Sequence, residues 1–294
     1  MFLIKINNRA VNWLITALYF VKYLPITALY YKRLLMAVFV IADLHLSNST
    51  PDLLEGFTGF INKLKDGDEL YIIGDLFNFF VGLDQSNQAQ KLVAKVLSQA
   101  KDRGIGCYFI KGNRDFLMTE GEAKSLGLTL CDDICLIEKS GKPILLSHGD
   151  LFCTNDLGYQ KYYRLVNNKF LQLLFRMLPL FVRRKIASRI REQSKDAHYH
   201  RRDPQIYGVV PKSIDNIAKD LCDKNSCYNS LVVVHGHIHE FSFFSHEGDF
   251  VNSRYVLGAW GNQFSYWAIT DDGHIVFKEL ALSKLKQQDL SLLS

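Results

Sequence analysis

The 294-residue chain lacks the marks of several protein classes. Its six cysteines form no CxxC pair, and reduced, mostly buried thiols in a cytosolic protein are predicted. With 48% hydrophobic and 22% charged residues, it is neither disordered nor collagen-like. From residue 36 onward, 30 basic residues balance 30 acidic ones, so no nucleic-acid partner is predicted.

Acidic residues are absent from the first 35 positions, which carry five cations. The apolar run 10–31 within them is interrupted by Lys22 and Pro25 and has no clear cleavage site, so a secretory signal is not predicted. Three interpretations stay open for this leader: a membrane anchor, a segment lying on the membrane surface, or translation upstream of a true start at Met36. The main domain is predicted to span residues 36–294.

Short apolar runs recur after Met36, and each ends in a residue of a metal-binding type. The runs AVFVIA, ELYIIG, CYFIKG, ILLS and LVVV end at Asp43, Asp75, Asn113, His148 and His235. Runs that are apolar throughout are typical of strands buried on both faces. With helical segments at 53–65 and 87–103 between them, they predict an α/β layered fold with functional groups at the carboxyl ends of the strands.

Two later regions differ from this alternation. Residues 251–258, 264–270 and 274–280 read as strands, and we expect them to form a second sheet packed as the other half of a sandwich. Residues 157–203 carry twelve cations against three acids and contain the apolar run 170–182. Pro179 is expected to separate two helices of this helical insert.

Two interpretations of the insert remain open. It is either a pair of core helices with a solvated charged face, or a lid that holds an acyl chain and rests on an anionic membrane surface. At 13 residues, its apolar run is too short to span a bilayer.

The polar residues at the strand ends form one chemical set of carboxylate, amide and imidazole groups without a thiolate. The seven candidate metal ligands are Asp43, His45, Asp75, Asn113, His148, His237 and His239. Such donors suit Mn²⁺ or a similar divalent ion better than a structural zinc site. Seven donors are too many for one ion with open positions, so two ions sharing a bridging carboxylate are predicted.

The motifs D-x-H, G-D, G-N-R-D, H-G-D and G-H-x-H together resemble the calcineurin-like metallophosphoesterase superfamily. Within it, IADLHLS, YIIGDLFNFFVG, YFIKGNRDFL, LSHGDLFCTND, LPLFVRRKIASRIREQSK and VHGHIHE resemble the UDP-2,3-diacylglucosamine diphosphatase family of lipid A biosynthesis. This resemblance covers about residues 36–270, including the insert. It implies an αββα sandwich with the insert as a lid, and hydrolysis of a lipid-linked sugar nucleotide with two Mn²⁺ ions. It also implies a peripheral protein on the cytoplasmic face of the inner membrane, and no protein partner.

The resemblance assigns roles to individual residues. One ion would be held by Asp43, His45, Asp75 and His239, and the other by Asp75, Asn113, His148 and His237, with Asp75 bridging. A metal-activated water would attack the α-phosphorus, beside Arg114. The predicted substrate-binding residues are Asn113, Arg114, Asp156, Ser194, His198, Arg201 and His237. His198 and Arg201 depart from the family's pattern, and Asp156 could instead cap the first helix of the insert.

Arg114 bears on the substrate class. The alternative for this residue is a salt bridge to Asp115. An arginine cannot give up its proton near neutral pH, so it suits a leaving group that is itself a phosphate. Three other functions remain as alternatives: another dinuclear phosphoesterase such as a phosphodiesterase, nuclease or protein phosphatase; a non-catalytic scaffold on this fold; and an interaction protein anchored by the leader.

Overall fold

The structure, a computed structural model, describes residues 36–200, 208–225, 228–287 and 290–293; for residues 191–200 it describes the backbone alone. The predicted leader and Arg201 therefore lie outside the described residues. Within these ranges, eleven strands form two sheets.

The first sheet contains most of the predicted apolar runs. Its six strands are β1 (Val38–Ile41), β2 (Glu69–Ile73), β3 (Gly106–Ile110), β4 (Thr129–Leu130), β10 (Gln263–Ile269) and β11 (Ile275–Ala281). Their order is β11-β10-β1-β2-β3-β4. Strands β1 to β4 are parallel, and β10 and β11 are antiparallel to their neighbours. The carboxyl ends of β1, β2 and β3 thus meet at one edge of the sheet.

The second sheet has the order β5-β6-β7-β9-β8. Its strands are β5 (Ile134–Lys139), β6 (Lys142–Ser147), β7 (Leu231–His235), β8 (Ser242–Ser245) and β9 (Val251–Val256). Strands β6, β7 and β9 are parallel. The backbone N–H of His237, after β7, donates to Asp43 Oδ2, after β1, at 2.8 Å and joins this edge to the first sheet.

Helices cover the outer face of each sheet. Helices α1 (Pro51–Lys63), α2 (Gln88–Asp102) and α3 (Glu120–Ser125) flank the first sheet, and α7 (Pro211–Lys224) packs on the second. A separate apolar cluster, including Val40, Ile73 and Val234, fills the space between the sheets. The predicted αββα sandwich is confirmed.

The expectation that the tail strands form the second sheet by themselves is wrong. Only β9 lies in the second sheet, whereas β10 and β11 extend the first sheet next to β1. The physical reason is that β10 is apolar on both faces. Phe264 and Tyr266 pack under the helices and Trp267 packs between the sheets, so β10 needs cover on both sides.

The insert is helical and leaves much of its apolar surface uncovered. It consists of α4 (Leu157–Val166), α5 (Lys169–Met177) and α6 (Leu180–His200), with Pro179 between the last two, as predicted. Neither α4 nor α5 contains a buried residue, and Phe170, Met177 and Phe181 are 66–74% exposed. The alternative of a core helix pair is therefore wrong. In the described ranges, no helix combines the length and apolar character needed to cross a bilayer.

Candidate metal centre

Four of the seven predicted ligands form a tight group at the shared edge of the two sheets. One ligand atom from each of Asp43, His45, Asp75 and His239 lies within 4.8 Å of the others. His45 Nε2 and His239 Nε2 are 3.3 Å apart, and His239 Nε2 is 3.3 Å from Asp43 Oδ1. Atoms that coordinate one ion at about 2.1 Å lie about 3 to 3.4 Å from each other in octahedral or tetrahedral geometry. The spacing is therefore that of a metal site.

The other three ligands form a second group on the far side of Asp75. Asn113 Oδ1 lies 2.9 Å from His148 Nε2 and 3.1 Å from His237 Nδ1, and the two ring nitrogens are 3.3 Å apart. His148 Nε2 is 3.7 Å from Asp75 Oδ1, whereas His45 Nδ1 is 3.8 Å from Asp75 Oδ2. The two oxygens of Asp75 thus face different groups, as a bridging carboxylate does.

The backbone at the centre is held in an uncommon conformation. Five of the seven residues lie in the left-handed region, with φ between 50° and 72°: Asp43, His45, Asp75, His237 and His239. Residues other than glycine rarely adopt this conformation, and it costs about 1–3 kcal/mol at each position where the surroundings impose it. The fold therefore directs these side chains inward at a cost in stability.

Glycines beside the ligands allow the strand ends to approach each other. A Cβ on Gly74 would lie 2.3 Å from His148 Nδ1, and one on Gly236 would lie 2.3 Å from Asp43 Oδ2. Gly74 also has φ +90°, which an L side chain rarely adopts. The glycines of the G-D and H-G-H motifs thus have a steric role that their sequence pattern does not reveal.

Two of the four histidine ligands, His45 and His237, are held neutral, as metal binding requires. Burial lowers the pKa of His45 to about 3, and burial with the charge of His148 lowers the pKa of His237 to about 3. Both rings are therefore neutral and carry the lone pair that a ligand needs. Burial alone would lower the pKa of His148, but Asp75 and Asp43 outweigh it and raise that pKa to about 9.

The residues present fit a pair of divalent cations. Among the described residues, the buried His45 Nδ1 has no hydrogen-bond partner, and the buried Asp43 Oδ1 has only the His239 ring nitrogen at 3.3 Å, an arrangement that is costly unless another group binds these atoms. Asp43 and Asp75 are at most 1% exposed, and burial raises the pKa of Asp75. His148 Nδ1 lies 3.1 Å from the carbonyl of Ile73, which leaves Nε2 directed at the centre. Bound cations would neutralise the carboxylates and occupy the unpaired atoms.

Arg114 lies against the bridging carboxylate. Its backbone N–H donates to Asp75 Oδ1 at 2.9 Å and its Nε donates to Asp75 Oδ2 at 3.1 Å. The alternative of a salt bridge to Asp115 is wrong, because Asp115 accepts backbone N–H groups from Gly112 and Leu76 instead. Arg114 is thus fixed beside the centre, and its Nη1 donates to Asn78 Oδ1 at 3.5 Å.

The remaining predicted substrate residues have different outcomes. Asp156 Oδ1 accepts the backbone N–H of Tyr159 at 2.8 Å, so Asp156 caps helix α4. Ser194 and His198 belong to α6, for which the structure describes the backbone at these positions but not the side chains. Arg201 lies outside the described residues. The substrate contacts of Ser194, His198 and Arg201 stay predictions.

Sequence reasoning missed Tyr159, which connects the insert to the centre. Its hydroxyl donates to Asp150 at 2.7 Å, and its ring lies 5.5 Å from the ring of His237. The available signal was the family motif LSHGDLFCTND-x-x-YQ, in which Tyr159 stands three residues after Asp156. Arg176 of α5 also contacts the core, through Glu122 at 2.8 Å.

A cavity of about 310 Å³ separates part of the insert from the core. Leu180, Arg184 and Ala187 of α6 line one side, and Phe79 and Val81 from the loop after β2 line the other. The insert is therefore joined to the core by polar contacts and by a small apolar cluster that includes Phe175, Ala187 and Val81, with open space beside them.

Comparison with known proteins places the chain in a family. It matches the calcineurin-like phosphoesterase family over residues 36–241. It belongs to that family. A protein of Histophilus somni named UDP-2,3-diacylglucosamine hydrolase is 38% identical to this calcineurin-like phosphoesterase over 236 residues, which cover 80% of this chain and 97% of the relative.

Two further relatives carry the same name. One from Photorhabdus laumondii is 38% identical over 240 residues, covering 80% of this chain and 96% of its own. One from Vibrio parahaemolyticus is 34% identical over 241 residues, which cover 81% of this chain and 96% of the relative. The predicted resemblance to metal-dependent phosphoesterases is confirmed, and all seven candidate ligands lie within the matched residues.

Proposed function

We propose that this phosphoesterase hydrolyses the diphosphate of UDP-2,3-diacylglucosamine to UMP and 2,3-diacylglucosamine 1-phosphate in lipid A biosynthesis. The names of its relatives support this substrate. The observation that carries the proposal is the position of an exposed apolar insert directly beside the candidate metal centre, where Tyr159 of α4 contacts His237. A water-soluble phosphodiester would not need such a surface.

The proposed cofactor is a pair of Mn²⁺ ions, with Asp43, His45, Asp75 and His239 around one and Asp75, Asn113, His148 and His237 around the other. Two bound divalent ions supply positive charge to the phosphoryl oxygens and lower the pKa of the attacking water. The same donors also coordinate Mg²⁺ and other divalent ions, so the choice of Mn²⁺ is part of the proposal.

Arg114 is proposed to stabilise the negative charge that develops on the phosphoryl group. Its Nε and backbone N–H donate to Asp75 and its Nη1 donates to Asn78 at 3.5 Å, so we assign the binding of a phosphate oxygen to Nη2. Because the guanidinium keeps its proton, the leaving group must depart without a proton donor from this position. A phosphate with a second pKa of about 6 can do so. Attack at the α-phosphorus releases such a group, the acylated sugar 1-phosphate.

The insert is proposed to act as a lid that shields the acyl chains. Its exposed apolar residues are Leu157, Leu165, Phe170, Leu171, Leu173, Leu174, Met177, Leu178, Phe181 and Ile190. Each acyl methylene that they cover contributes about 0.8 kcal/mol. Phe175 of α5 packs against the core instead, with Val81 and Leu117.

The cations of the lid divide into two groups. Arg183 donates to the carbonyl of Val81, and Arg184 pairs with Asp84, so both connect the lid to the core. Lys185 and Arg189 are the proposed contacts with anionic lipid headgroups, each worth about 1 kcal/mol at such a surface. We place the protein on the cytoplasmic face of the inner membrane, where the nucleotide head of its substrate would lie.

Product analysis tests the proposal. The metal-stripped chain is reloaded with Mn²⁺ and incubated with UDP-2,3-diacylglucosamine in ¹⁸O-labelled water, and the products are identified by mass spectrometry. We expect UMP that carries the label, together with unlabelled acylated sugar 1-phosphate. UDP with the free acylated sugar, or label in the sugar phosphate, would overturn the proposal.

A further inference from the structure

A buried arginine of the second sheet contacts the strand end that precedes two of the predicted ligands. Arg254 is on β9 and is 4% exposed. Its Nε and Nη2 donate to the two carboxylate oxygens of Glu247, and its guanidinium carbon lies 4.0 Å from the centre of the Phe244 ring. Its Nη1 lies 3.0 Å from Nε2 of His235, the last residue of β7. Because the G-H-x-H motif follows His235 directly, Arg254 is joined to the segment that carries both ligands.

The contact with Arg254 decides which ring nitrogen of His235 carries the proton. A guanidinium group only donates hydrogen bonds, so Nε2 of His235 must accept with a lone pair. The proton of the neutral ring is then on Nδ1, which donates to the carbonyl oxygen of Gly236 at 2.9 Å. This second partner requires the same tautomer, because a carbonyl oxygen cannot donate. His235 is fully buried, so bulk water does not compete with either partner.

The carbonyl of Gly236 belongs to a peptide group that orients a metal ligand. The N–H of the same peptide group is that of His237, and it donates to Asp43 Oδ2 at 2.8 Å. Since a peptide group is planar, with its C=O and N–H directed to opposite sides, a donor that holds the carbonyl also fixes the direction of the N–H. The other oxygen, Asp43 Oδ1, lies 3.3 Å from Nε2 of His239. His235 thus acts on the Asp43 carboxylate through one peptide group.

The turn after Gly236 requires such support. The backbone N–H of Ile238 donates to the carbonyl of Gly236 at 3.0 Å and closes a γ-turn around His237, whose φ is 72°. A γ-turn with a positive φ is rare and strained. Nδ1 of His235 gives the same carbonyl a second hydrogen bond. This bond stabilises the turn in the conformation that places His237 Nδ1 3.1 Å from Asn113 Oδ1.

We propose that Arg254 is a positioning residue for the metal centre and that it acts through His235. Arg254 keeps the proton of His235 on Nδ1, and the Nδ1–H group holds the carbonyl of Gly236. The N–H of the same peptide group then directs the Asp43 carboxylate at the cation site. Glu247 holds the guanidinium in place by a two-point ion pair. The effect on metal binding rests on the pair of divalent cations proposed above, whereas the tautomer of His235 does not.

Nitrogen NMR of the metal-free chain tests the tautomer. In a chain labelled with ¹⁵N-histidine, protonated and unprotonated ring nitrogens have separate chemical shifts, and the signals that disappear in His235→Phe belong to His235. We expect Nδ1 of His235 to be protonated and Nε2 to be unprotonated. A proton on Nε2 would overturn the proposal. Because no Mn²⁺ is present, this result is independent of the metal pair and of the substrate.

Calorimetric titration with Mn²⁺ measures the effect on the centre. We expect Arg254→Met to lower Mn²⁺ affinity by about 10–100-fold, the loss usual when the support of a ligand is removed. Glu247→Gln is the matched control, because it breaks the same ion pair but leaves Arg254 to donate to His235, so its Mn²⁺ affinity should match the wild type. Urea unfolding should show a loss of stability in both variants.

The outcomes of the titration separate this proposal from the metal pair itself. An equal loss of Mn²⁺ affinity in Arg254→Met and Glu247→Gln, or a loss in neither, would overturn the proposal, since Arg254 would then only stabilise the fold. A wild-type chain that binds no Mn²⁺ would overturn the metal pair and this proposal together. Normal binding by the wild type, with the proton of His235 on Nε2, would overturn this proposal alone.

Combined variants show whether Arg254 acts through His235. His235→Phe keeps a ring but cannot donate to Gly236, so Mn²⁺ affinity should fall. His235→Asn, whose side-chain N–H can replace Nδ1–H, should recover most of that loss. Because both residues belong to one chain of hydrogen bonds, Arg254→Met should add no further loss to His235→Phe. Losses that multiply in the double variant would show that Arg254 acts by another route and would overturn the proposal.

Discussion

Replacing Gly112 by alanine tests whether the centre depends on close packing behind the bridging carboxylate. A Cβ on Gly112 would lie 2.3 Å from Asp75 Oδ1 and 2.5 Å from the backbone nitrogen of Asp75. The φ of Gly112 lies outside the left-handed region, so alanine suits its backbone and the effect is steric. Restoring ordinary van der Waals contact requires Asp75 to move by about 1 Å. That shift would lengthen its 2.9 Å hydrogen bond with the backbone N–H of Arg114.

The expected loss follows from the size of this displacement. A misplacement of about 1 Å in an active site lowers turnover by about 10²-fold, and disturbed support of a ligand weakens metal binding by about 10–100-fold. Steady-state kinetics at saturating Mn²⁺ measures kcat, and titration calorimetry measures Mn²⁺ affinity. Gly121→Ala in α3 is the matched control, because nothing lies within 4 Å of the added Cβ. If Gly112→Ala keeps kcat and Mn²⁺ affinity within twofold of the control, the reasoning is refuted.

Three further predictions concern the lid. In Glu122→Gln, the lid loses its 2.8 Å ion pair with Arg176, and urea unfolding at pH 7 should show a loss of about 1 kcal/mol. Burial alone raises the pKa of Glu122, but its hydrogen bonds, above all the one from Arg176, outweigh burial and lower that pKa. The Glu122–Arg176 pair therefore contributes fully to the free energy of unfolding at a pH above the ordinary pKa of glutamate. This contribution disappears as the pH falls through the lowered pKa. In Tyr159→Phe, buried Asp150 loses a 2.7 Å hydrogen bond, and the unfolding free energy should fall by about 1–3 kcal/mol in urea titrations. In Phe181→Ser, stability should stay within about 0.5 kcal/mol because the side chain is 71% exposed, whereas KM for the diacylated nucleotide should rise.

Each of these predictions has a result that contradicts it. For Glu122→Gln, it is a loss of unfolding free energy, relative to the wild type, that is as large at pH 3 as at pH 7. For Tyr159→Phe, it is an unchanged unfolding free energy. For Phe181→Ser, it is an unchanged KM, or an equal rise in KM for a diphosphate substrate without acyl chains.

The sequence was sufficient to predict the strands that carry the ligands. Each of these strands is apolar on both faces and is followed by a polar residue. The local pattern therefore predicted β1, β2, β3, β6 and β7, and also the helices between them. The partners of a strand are not a local property, however. The tail strands were recognised, but their periodicity could not reveal that β10 pairs with β1 of the first sheet.

The geometry of the candidate centre was only partly predictable. The seven residues were recognisable by type, and the structure brings them together. Their left-handed backbone was not, because a positive φ such as the 53° of Asp75 is uncommon even for Asp and His, although these residue types are enriched there. The contact of Tyr159 with the centre depends on how the lid folds back, which no local pattern encodes.

Electron paramagnetic resonance of the Mn²⁺-loaded chain tests the central claim most directly. The claim is that seven side chains hold two ions that share the carboxylate of Asp75. It predicts two Mn²⁺ per chain with the signal of an exchange-coupled pair, and loss of that coupling in Asp75→Asn. A single uncoupled Mn²⁺ per chain, or no binding at all, would contradict it.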